Sequence, residues 1–336
     1  MKRILLYILT VTALTSCHDI TEPADNSRGV FETLWKTLDE HYCFFREKGI
    51  DWDSVYNVYS PLVTEDLSSQ RLFDVCSDMV NCLRDGHTNL SSPFATSYYR
   101  KFWSDYPQNY DARIVQQNYF NFNYRSLGAF DYGILPENVG YIHYSTFQGG
   151  FGAGNMDYIL AYFAGVSGLI FDVRDNGGGN LDNVEDIANR FVRERSVAGY
   201  ILHKTGPGHD DFSEPFAYYI DPVEDGHIAW RKPVVVLTNR STFSAANNFV
   251  SVMKNIPGVK IIGARTGGGS GMPFNSELPN GWAIRFSAVS ILDAQGVPTE
   301  NGIEPSEGFA VEQTAADIAA GIDPILDRAI AYLTSL

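Results

Sequence analysis

A short apolar run, a turn of small polar residues and a helical pattern follow one another at residues 233–254, and they constrain the chain most strongly. Residues 233–238 have the length and composition of a buried β-strand, and residues 249–254 continue the apolar spacing of a helix. Ser244 lies where the helix begins. Free backbone N–H groups there can stabilise a developing negative charge, so we predict that Ser244 is a nucleophile. In the alternative interpretation, a serine or threonine of the turn only caps the helix, which is the commoner role of these residues.

Length, composition and charge limit the classes of function. The chain has 336 residues, 44% of them hydrophobic, which is enough to bury one large core or two smaller ones. Its formal net charge of −15 argues against a nucleic-acid partner, because phosphate backbones require compensating lysine and arginine. Neither the GxGxxG nor the GxxxxGK[ST] pattern occurs at the glycine-rich turns, and no CxxC pair or Cys/His cluster suggests zinc. We therefore expect no cofactor and no metal.

The N-terminus has the pattern of a targeting segment. Lys2 and Arg3 precede an apolar stretch at residues 4–14 that is too short to span a bilayer. The stretch ends in Leu-Thr-Ser-Cys, which resembles the bacterial lipobox, so we predict that residues 1–16 are a lipoprotein signal peptide and that Cys17 is lipidated. Residues 17–27 would then be a polar tether on the periplasmic or cell-surface side of a bacterial membrane. The alternative is a lone cysteine after a short apolar helix.

Three further cysteines, Cys43, Cys76 and Cys82, lie in the predicted helical region. Cys76 and Cys82 share one helical pattern six positions apart, so they cannot bridge one another without breaking the helix. We expect all three to behave as buried apolar residues, with a bridge from Cys43 to one of the others as the alternative.

The pattern of apolar residues predicts an α/β protein with a helical lead-in. Residues 29–83 show the helical period in three segments, and residues 98–133 are dense in Tyr, Phe and Asn without a sustained period. From residue 139 strands alternate with helices, which is typical of a mostly parallel sheet, and residues 315–336 form an amphipathic helix interrupted by Gly321 and Pro324. The predicted domains are a helical domain at 28–92, an aromatic-rich connection at 93–138 and an α/β domain at 139–336.

A serine nucleophile requires a base that takes its hydroxyl proton. A glycine-rich turn can supply backbone N–H groups that stabilise the negative charge that develops in the reaction. His87 follows Asp85-Gly86 at the end of a predicted helix, where glycine allows a tight turn, although a histidine in this position is commonly a capping or surface residue. Three glycines at 177–179 follow a strand and precede a helix, so their N–H groups can be exposed. An oxyanion-hole donor suits this turn better than a phosphate site, because the same chain carries a candidate nucleophile.

Four motifs occur in order along the chain: DVRDNGGG (172–179), TFSAA (242–246), GART (263–266) and ENGIEP (300–305). Over roughly residues 139–330 they resemble the motifs of the tail-specific, or C-terminal processing, serine proteases. The lead-in with Asp51-Trp52 and the turn DGHT (85–88) are similar to the tricorn-like branch of that family. No insertion long enough for a PDZ module separates the two regions. The aromatic segment 98–132 is our candidate for holding substrate tails.

The resemblance implies a crotonase-like ββα core, an N-terminal helical bundle, a C-terminal helix and a catalytic domain at 139–336. It implies Ser244 as the nucleophile, with Ala245 and a glycine of the turn, Gly178, as oxyanion-hole donors. The region where the lysine-dyad branch has its base contains no lysine here, so the implied base is His87 with Glu300 as third residue. Glu304 is the competing glutamate.

We therefore expect a lipid-anchored serine peptidase that hydrolyses peptides or proteins near their C-termini. The alternative is a non-catalytic lipoprotein of the same fold that binds peptides or apolar ligands. A pure binding protein has no chemical need for the complete set of serine, histidine, glutamate and glycine turn. The sequence leaves the oligomeric state open.

Overall fold

A computed structural model describes residues 23–336 of the chain. The predicted signal peptide and the predicted lipidation site at Cys17 lie outside the described residues. Within residues 23–336, no helix has both the length and the apolar character needed to cross a bilayer. The same residues hold Cys43, Cys76 and Cys82 as free thiols, of which Cys82 is half-buried and the other two are buried.

Helices occupy the two ends of the described chain and flank the sheets between them. Their bounds are α1 Ser27–His41, α2 Phe45–Lys48, α3 Trp52–Tyr59, α4 Ser69–Asn81, α5 Ala112–Ile114, α6 Ala153–Tyr162, α7 Asp182–Ala188, α8 Ala245–Lys254, α9 Ala315–Ala320 and α10 Pro324–Thr334. The side chains of Asn26, Asp51 and Ser68 cap α1, α3 and α4, which confirms the helical lead-in. Gly321 adopts a left-handed conformation at the end of α9, and Pro324 begins α10, so the predicted break in the last helix is confirmed.

The strands form two sheets. Their bounds are β1 Asn89–Ser91, β2 Thr96–Tyr98, β3 Arg125–Leu127, β4 Phe130–Ile134, β5 Gly140–Tyr144, β6 Leu169–Asp172, β7 Ser196–His203, β8 Phe216–Ile220, β9 Val234–Thr238, β10 Val259–Gly263, β11 Gly271–Glu277 and β12 Ala283–Leu292. The first sheet has the order β2-β1-β12-β7-β8, with β11 also on β12. The second has the order β10-β9-β6-β5-β4-β3.

The expectation of a mostly parallel sheet is correct only for part of the second sheet. There β10, β9, β6 and β5 pair in parallel, because helices connect them, whereas β4 and β3 add an antiparallel hairpin. All pairs of the first sheet are antiparallel. Residues 308–311 contribute an isolated parallel bridge between Ala310 and Gly263.

The helical lead-in packs directly on the first sheet. Side chains of α1 and α4 share one buried cluster with Trp282, Ile284 and Phe286 of the β12 region. Strands β1 and β2 lie on either side of the predicted border at residue 92 and pair with one another and, through β1, with β12. The turn that follows α4 is therefore held against the sheets, and this contact brings the two ends of the candidate site together.

A buried ion cluster fixes the end of β6, where the glycine turn starts. The guanidinium of Arg174 lies 2.6 Å from Asp172 and 2.8 Å from Asp323 at the start of α10, and all three side chains are fully buried. The ring of Tyr110 stacks on this guanidinium at 4.4 Å. A buried charge is stable only when it is paired in this way. The cluster thus holds the C-terminal helix and the base of the glycine turn in one arrangement.

Candidate active site

Ser244 has a strained backbone at the start of α8. Its φ of 59° and ψ of −123° are rare for a residue with a side chain, and such strain concentrates at functional sites. Two bonds hold the turn: Ser244 N–H donates to Gly268 O at 2.8 Å, and Phe243 N–H donates to Asn176 O at 3.0 Å. The Ser244 hydroxyl makes no capping hydrogen bond to the helix. The capping interpretation is therefore wrong for this residue.

His87 lies beside Ser244 although 157 residues separate them in the sequence. Its Nε2 is 3.0 Å from Ser244 Oγ, a hydrogen-bond distance for a nucleophile and its base. Burial lowers the pKa of His87 to about 4, against the opposing attraction of Asp85. The imidazole is therefore neutral near pH 7, and its Nε2 lone pair can accept the serine proton.

Asp85 anchors the turn that carries His87. One carboxylate oxygen accepts the backbone N–H of His87 at 2.7 Å, and the other accepts the hydroxyls of Tyr42 at 2.8 Å and Ser287 at 3.0 Å. Burial alone would raise the pKa of Asp85, but Lys48 and these hydrogen bonds keep it below its usual value. On the other side, Arg285 donates to the carbonyl of His87 at 3.2 Å. The lead-in and the first sheet thus both fix the position of His87.

Glu300 is buried in the same network but makes no hydrogen bond to the imidazole. One of its oxygens lies 2.8 Å from Lys48 Nζ, and the other accepts the N–H of Ser270 at 2.9 Å. His87 Nδ1 is buried and has no hydrogen-bond partner among the described residues. The described residues therefore show no hydrogen bond between the imidazole and Glu300, and the role of Glu300 as third residue stays a prediction. Burial raises the pKa of Glu300 to about 7, despite the attraction of Lys48.

The two candidate glutamates, Glu300 and Glu304, differ in burial. The Glu304 side chain is 66% exposed and pairs with Arg265 at the surface, whereas Glu300 belongs to the buried network. Lys48 was not among the predicted site residues, since it is an ordinary lysine in a short amphipathic helix. Its side chain is only 8% exposed, and it lies between Glu300 and Asp85, 3.9 Å from the latter. Desolvation lowers the pKa of Lys48, but the two carboxylates outweigh it and raise this pKa overall.

The glycine turn packs against Ser244, as the sequence predicted. A Cβ atom on Gly178 would lie 2.7 Å from Ser244 Cβ and 2.8 Å from Ala245 N, so only glycine fits there. Ala245 N–H, at the first turn of α8, has no acceptor among the described residues, as an oxyanion-hole donor requires. Gly178 N–H, however, already donates to Asn176 Oδ1 at 2.9 Å. The prediction of Gly178 as the second donor needs correction, because the N–H groups of this turn without an acceptor in residues 23–336 belong to Gly177 and Gly179.

Part of the aromatic segment lies over the serine turn. The ring of Phe243 packs on His87 at 4.7 Å, and Phe102 and Trp103 pack edge-on against Phe243 at 5.1 and 5.0 Å. These rings limit the access of water to the imidazole, consistent with its lowered pKa. In residues 23–336, no group of three or more His, Cys, Asp and Glu side chains is arranged to hold a metal ion.

Comparison with known proteins connects this geometry with a family. Residues 138–308, just over half of the chain, match the model of peptidase family S41, and residues 23–81 match the tricorn protease C1 domain. A crystal structure from Parabacteroides merdae ATCC 43184, provisionally called a peptidase, is 46% identical with a TM-score of 0.86, over 92% of this chain and 96% of that one.

Two curated relatives are similar over about half of the chain. Tricorn protease homolog 1 of Streptomyces coelicolor is 30% identical over 198 residues, 57% of this chain and 16% of its own length. The chloroplastic C-terminal processing peptidase of Tetradesmus obliquus is 24% identical over 188 residues, 55% of this chain and 38% of its own. The chain thus matches well under two thirds of the length of these relatives. The match to the family model, with Ser244 and the glycine turn inside the matched range, shows that this chain belongs to peptidase family S41.

Proposed function

We propose that the protein is a serine peptidase that hydrolyses peptide bonds through Ser244 and His87. The observation that carries the proposal is the distance of 3.0 Å between His87 Nε2 and Ser244 Oγ, with the pKa of the imidazole lowered to about 4. Relatives named as a C-terminal processing peptidase and a tricorn protease homolog support the same chemistry. By this analogy the substrates are peptides or the C-terminal regions of proteins.

The reaction is acyl transfer from the peptide to water. His87 Nε2 takes the hydroxyl proton of Ser244 as Oγ bonds to the peptide carbonyl carbon, and the C=O electron pair moves to oxygen. The N–H of Ala245 and one N–H of the glycine turn stabilise that oxyanion. His87 then gives its proton to the leaving amine as the C–N bond breaks. Water, activated by the same imidazole, releases the acyl group from Ser244.

The third element of the site is a network that positions the base. In our proposal, Lys48 holds the Glu300 and Asp85 carboxylates together, and Asp85 fixes His87 through its backbone N–H. Glu300 thus contributes by positioning. This differs from the triad in which an acid accepts the N–H of the imidazole. The protein as proposed has a crotonase-like ββα catalytic domain at 139–336, to which the helical domain at 28–92 supplies the base and the segment 93–138 contributes a substrate-holding surface.

The location of the protein is also a proposal. A charged start, a short apolar stretch and the sequence Leu-Thr-Ser-Cys support cleavage before Cys17 and its lipidation. The enzyme would then be tethered to a bacterial membrane and act on its extracytoplasmic side, with residues 17–27 as the tether. Metabolic labelling with an alkyne fatty acid tests this, and a Cys17→Ala variant should lose the label.

A binding lipoprotein is the second candidate. A mainly apolar cavity of about 190 Å³ lies between α7, α8 and the first sheet, lined by residues that include Val252, Met272 and Ile291, and it would suit an apolar ligand. This function does not require the strained backbone of Ser244 or its contact with a neutral histidine.

Hydrolysis of an unstructured protein substrate separates the two candidates. We expect the purified chain to degrade reduced, alkylated casein, and the Ser244→Ala and His87→Ala variants to lose at least about 10³-fold in rate. Equal degradation by wild type and Ser244→Ala would show that Ser244 is not the nucleophile. Absence of hydrolysis by the wild type, together with saturable binding of an apolar probe, would favour the binding protein.

A further inference from the structure

A cavity of about 350 Å³ opens at the edge of the second sheet where β9 and β10 begin. Val234 and Val259, the first residues of these two strands, line it. Ser244 follows the other end of β9, and a strand of five residues is about 16 Å long. We call this cavity the distal cavity, because the length of the strand separates it from Ser244. Its volume is within the range of small-molecule sites.

The inner wall of the distal cavity is apolar. Its buried side chains, each at most 9% exposed, are Phe191, Trp230, Val234, Ile256 and Val259. They belong to the main hydrophobic core, so the wall is held in place by packing on its far side. An apolar group that enters the cavity would remove the remaining exposed area of this wall from water, which favours binding.

The rim of the distal cavity is cationic. Arg193, Arg231 and Lys232 line it and are exposed, and no aspartate or glutamate is among the lining residues. In residues 23–336, none of these three side chains has a carboxylate oxygen within 4.0 Å. The chain has 40 acidic and only 25 basic residues, so three cations without an acidic partner are an exception on its surface. A cavity lined by one sign of charge concentrates the opposite ion.

Helix capping explains part of this rim. Lys232 Nζ donates to two carbonyls just after α6, at 2.7 and 2.6 Å, and Arg231 donates to the carbonyl of Trp230 at 3.0 Å. These bonds hold the two side chains but leave their charge without a counter-ion. Arg193 makes no side-chain hydrogen bond to any residue in the range 23–336, so capping does not explain its place on the rim.

We propose that the distal cavity binds an amphiphilic anion, a small molecule with a carboxylate or phosphate group on an apolar body. The body contacts the inner wall, and the anionic oxygens pair with the guanidinium groups of Arg193 and Arg231, which suit either head group. A concave site with a buried apolar wall favours a free small molecule over the surface of a membrane. The proposal is independent of the peptidase function, because the cavity contains neither Ser244 nor His87.

Titration with two fluorescent probes tests the proposal. Anilinonaphthalene sulfonate has an anionic group on an aromatic body, and phenylnaphthylamine is the same body without that group. We expect the purified chain to bind the anionic probe roughly tenfold or more tightly than the neutral one. Arg193→Gln and Arg231→Gln change exposed side chains, and each should weaken the anionic probe roughly tenfold while leaving the neutral probe unchanged. Arg195→Gln, an exposed arginine paired with Asp221, is the control and should change neither affinity.

Displacement of the anionic probe identifies the head group. We expect decanoate, decyl phosphate or both to displace it, and decanol at the same concentration to leave it bound. Equal affinity for the two probes, an unchanged affinity in both arginine variants, or displacement by decanol as well would overturn the proposal. Binding to phosphatidylglycerol vesicles that Arg193→Gln abolishes, without displacement of the probe by either soluble anion, would also overturn it and assign the rim to a membrane surface.

Discussion

Lys48 joins two buried carboxylates, Asp85 and Glu300, in the network around His87, and replacing it with methionine leaves both without this cation. Its Nζ lies 2.8 Å from Glu300 and 3.9 Å from Asp85, and only 8% of the side chain is exposed. Breaking a buried ion pair by removing one partner costs about 3–5 kcal/mol, because the remaining charge stays buried without compensation. Methionine has a similar volume, so packing contributes little to the loss. We expect Lys48→Met to lower the free energy of unfolding by about this amount.

The pH dependence of this loss follows from Glu300. In the wild type its folded-state pKa is raised from 4.5 to about 7, so the folded protein binds more protons than the unfolded chain in that window. Stability from this group therefore falls as pH rises from 4.5 to 7 and is constant above it. Without Lys48 the pKa of Glu300 rises further, and the window extends upward. Above pH 7 the unfolding free energy of Lys48→Met should keep falling by about 1.4 kcal/mol per pH unit.

Urea unfolding between about pH 7 and about pH 8.5 measures this slope. The wild type should show little slope from this group, and Lys48→Met/Glu300→Gln should lose the slope and recover part of the stability, because no uncompensated glutamate remains. Lys36→Met, which removes an exposed lysine paired with Glu40, is the control and should cost less than about 1 kcal/mol. Identical slopes in wild type and Lys48→Met, or losses that simply add in the double variant, would refute this account of the network.

Three further predictions concern Ser244, His87 and the glycine turn. In a pH–rate profile, kcat/KM should be constant near neutral pH and fall about tenfold per pH unit below the His87 pKa of about 4, because imidazolium cannot accept the serine proton. A fall of kcat/KM centred near the usual histidine pKa of about 6.5 would contradict this. Gly178→Ala should lower activity at least about 10²-fold, because its Cβ would lie 2.7 Å from Ser244 Cβ. The control Gly149→Ala should be active in the same peptidase assay, because no atom lies within 4 Å of the added methyl. Ser244→Gly should be about 1 kcal/mol more stable to urea than Ser244→Ala, because glycine relieves the strain at φ 59°, and equal stability of the two would show that the turn is unstrained.

The serine turn was predictable from the sequence because its determinants are local. A continuous apolar run, a small-residue turn and a helical period identify β9, Ser244 and α8 within about twenty residues of chain. The caps of the lead-in and the break before Pro324 are local in the same sense. The antiparallel first sheet was not predictable in this way, because β1 and β12 lie almost two hundred residues apart in sequence.

The rest of the site depends on contacts between distant segments. No periodicity connects His87 with Ser244, and only the resemblance to a family brought them together before the structure did. Lys48 carried no signal, because a lysine at the end of a short helix is usually exposed. The hydrogen bond that occupies Gly178 N–H could have been recognised from the sequence, because it is local. An asparagine side chain commonly accepts the backbone N–H two residues later, and Asn176 does so here.

The most direct test of the central claim is identification of the residue that reacts with a fluorophosphonate at pH 7. We predict a single stoichiometric adduct on Ser244, found by mass spectrometry of the digested protein, that is absent from Ser244→Ala and strongly slowed in His87→Ala. The hydrogen bond of 3.0 Å to a neutral imidazole is the reason for this selectivity. An unmodified wild-type protein, an adduct on another serine, or equal labelling of His87→Ala would contradict the assignment of Ser244 and His87 as nucleophile and base.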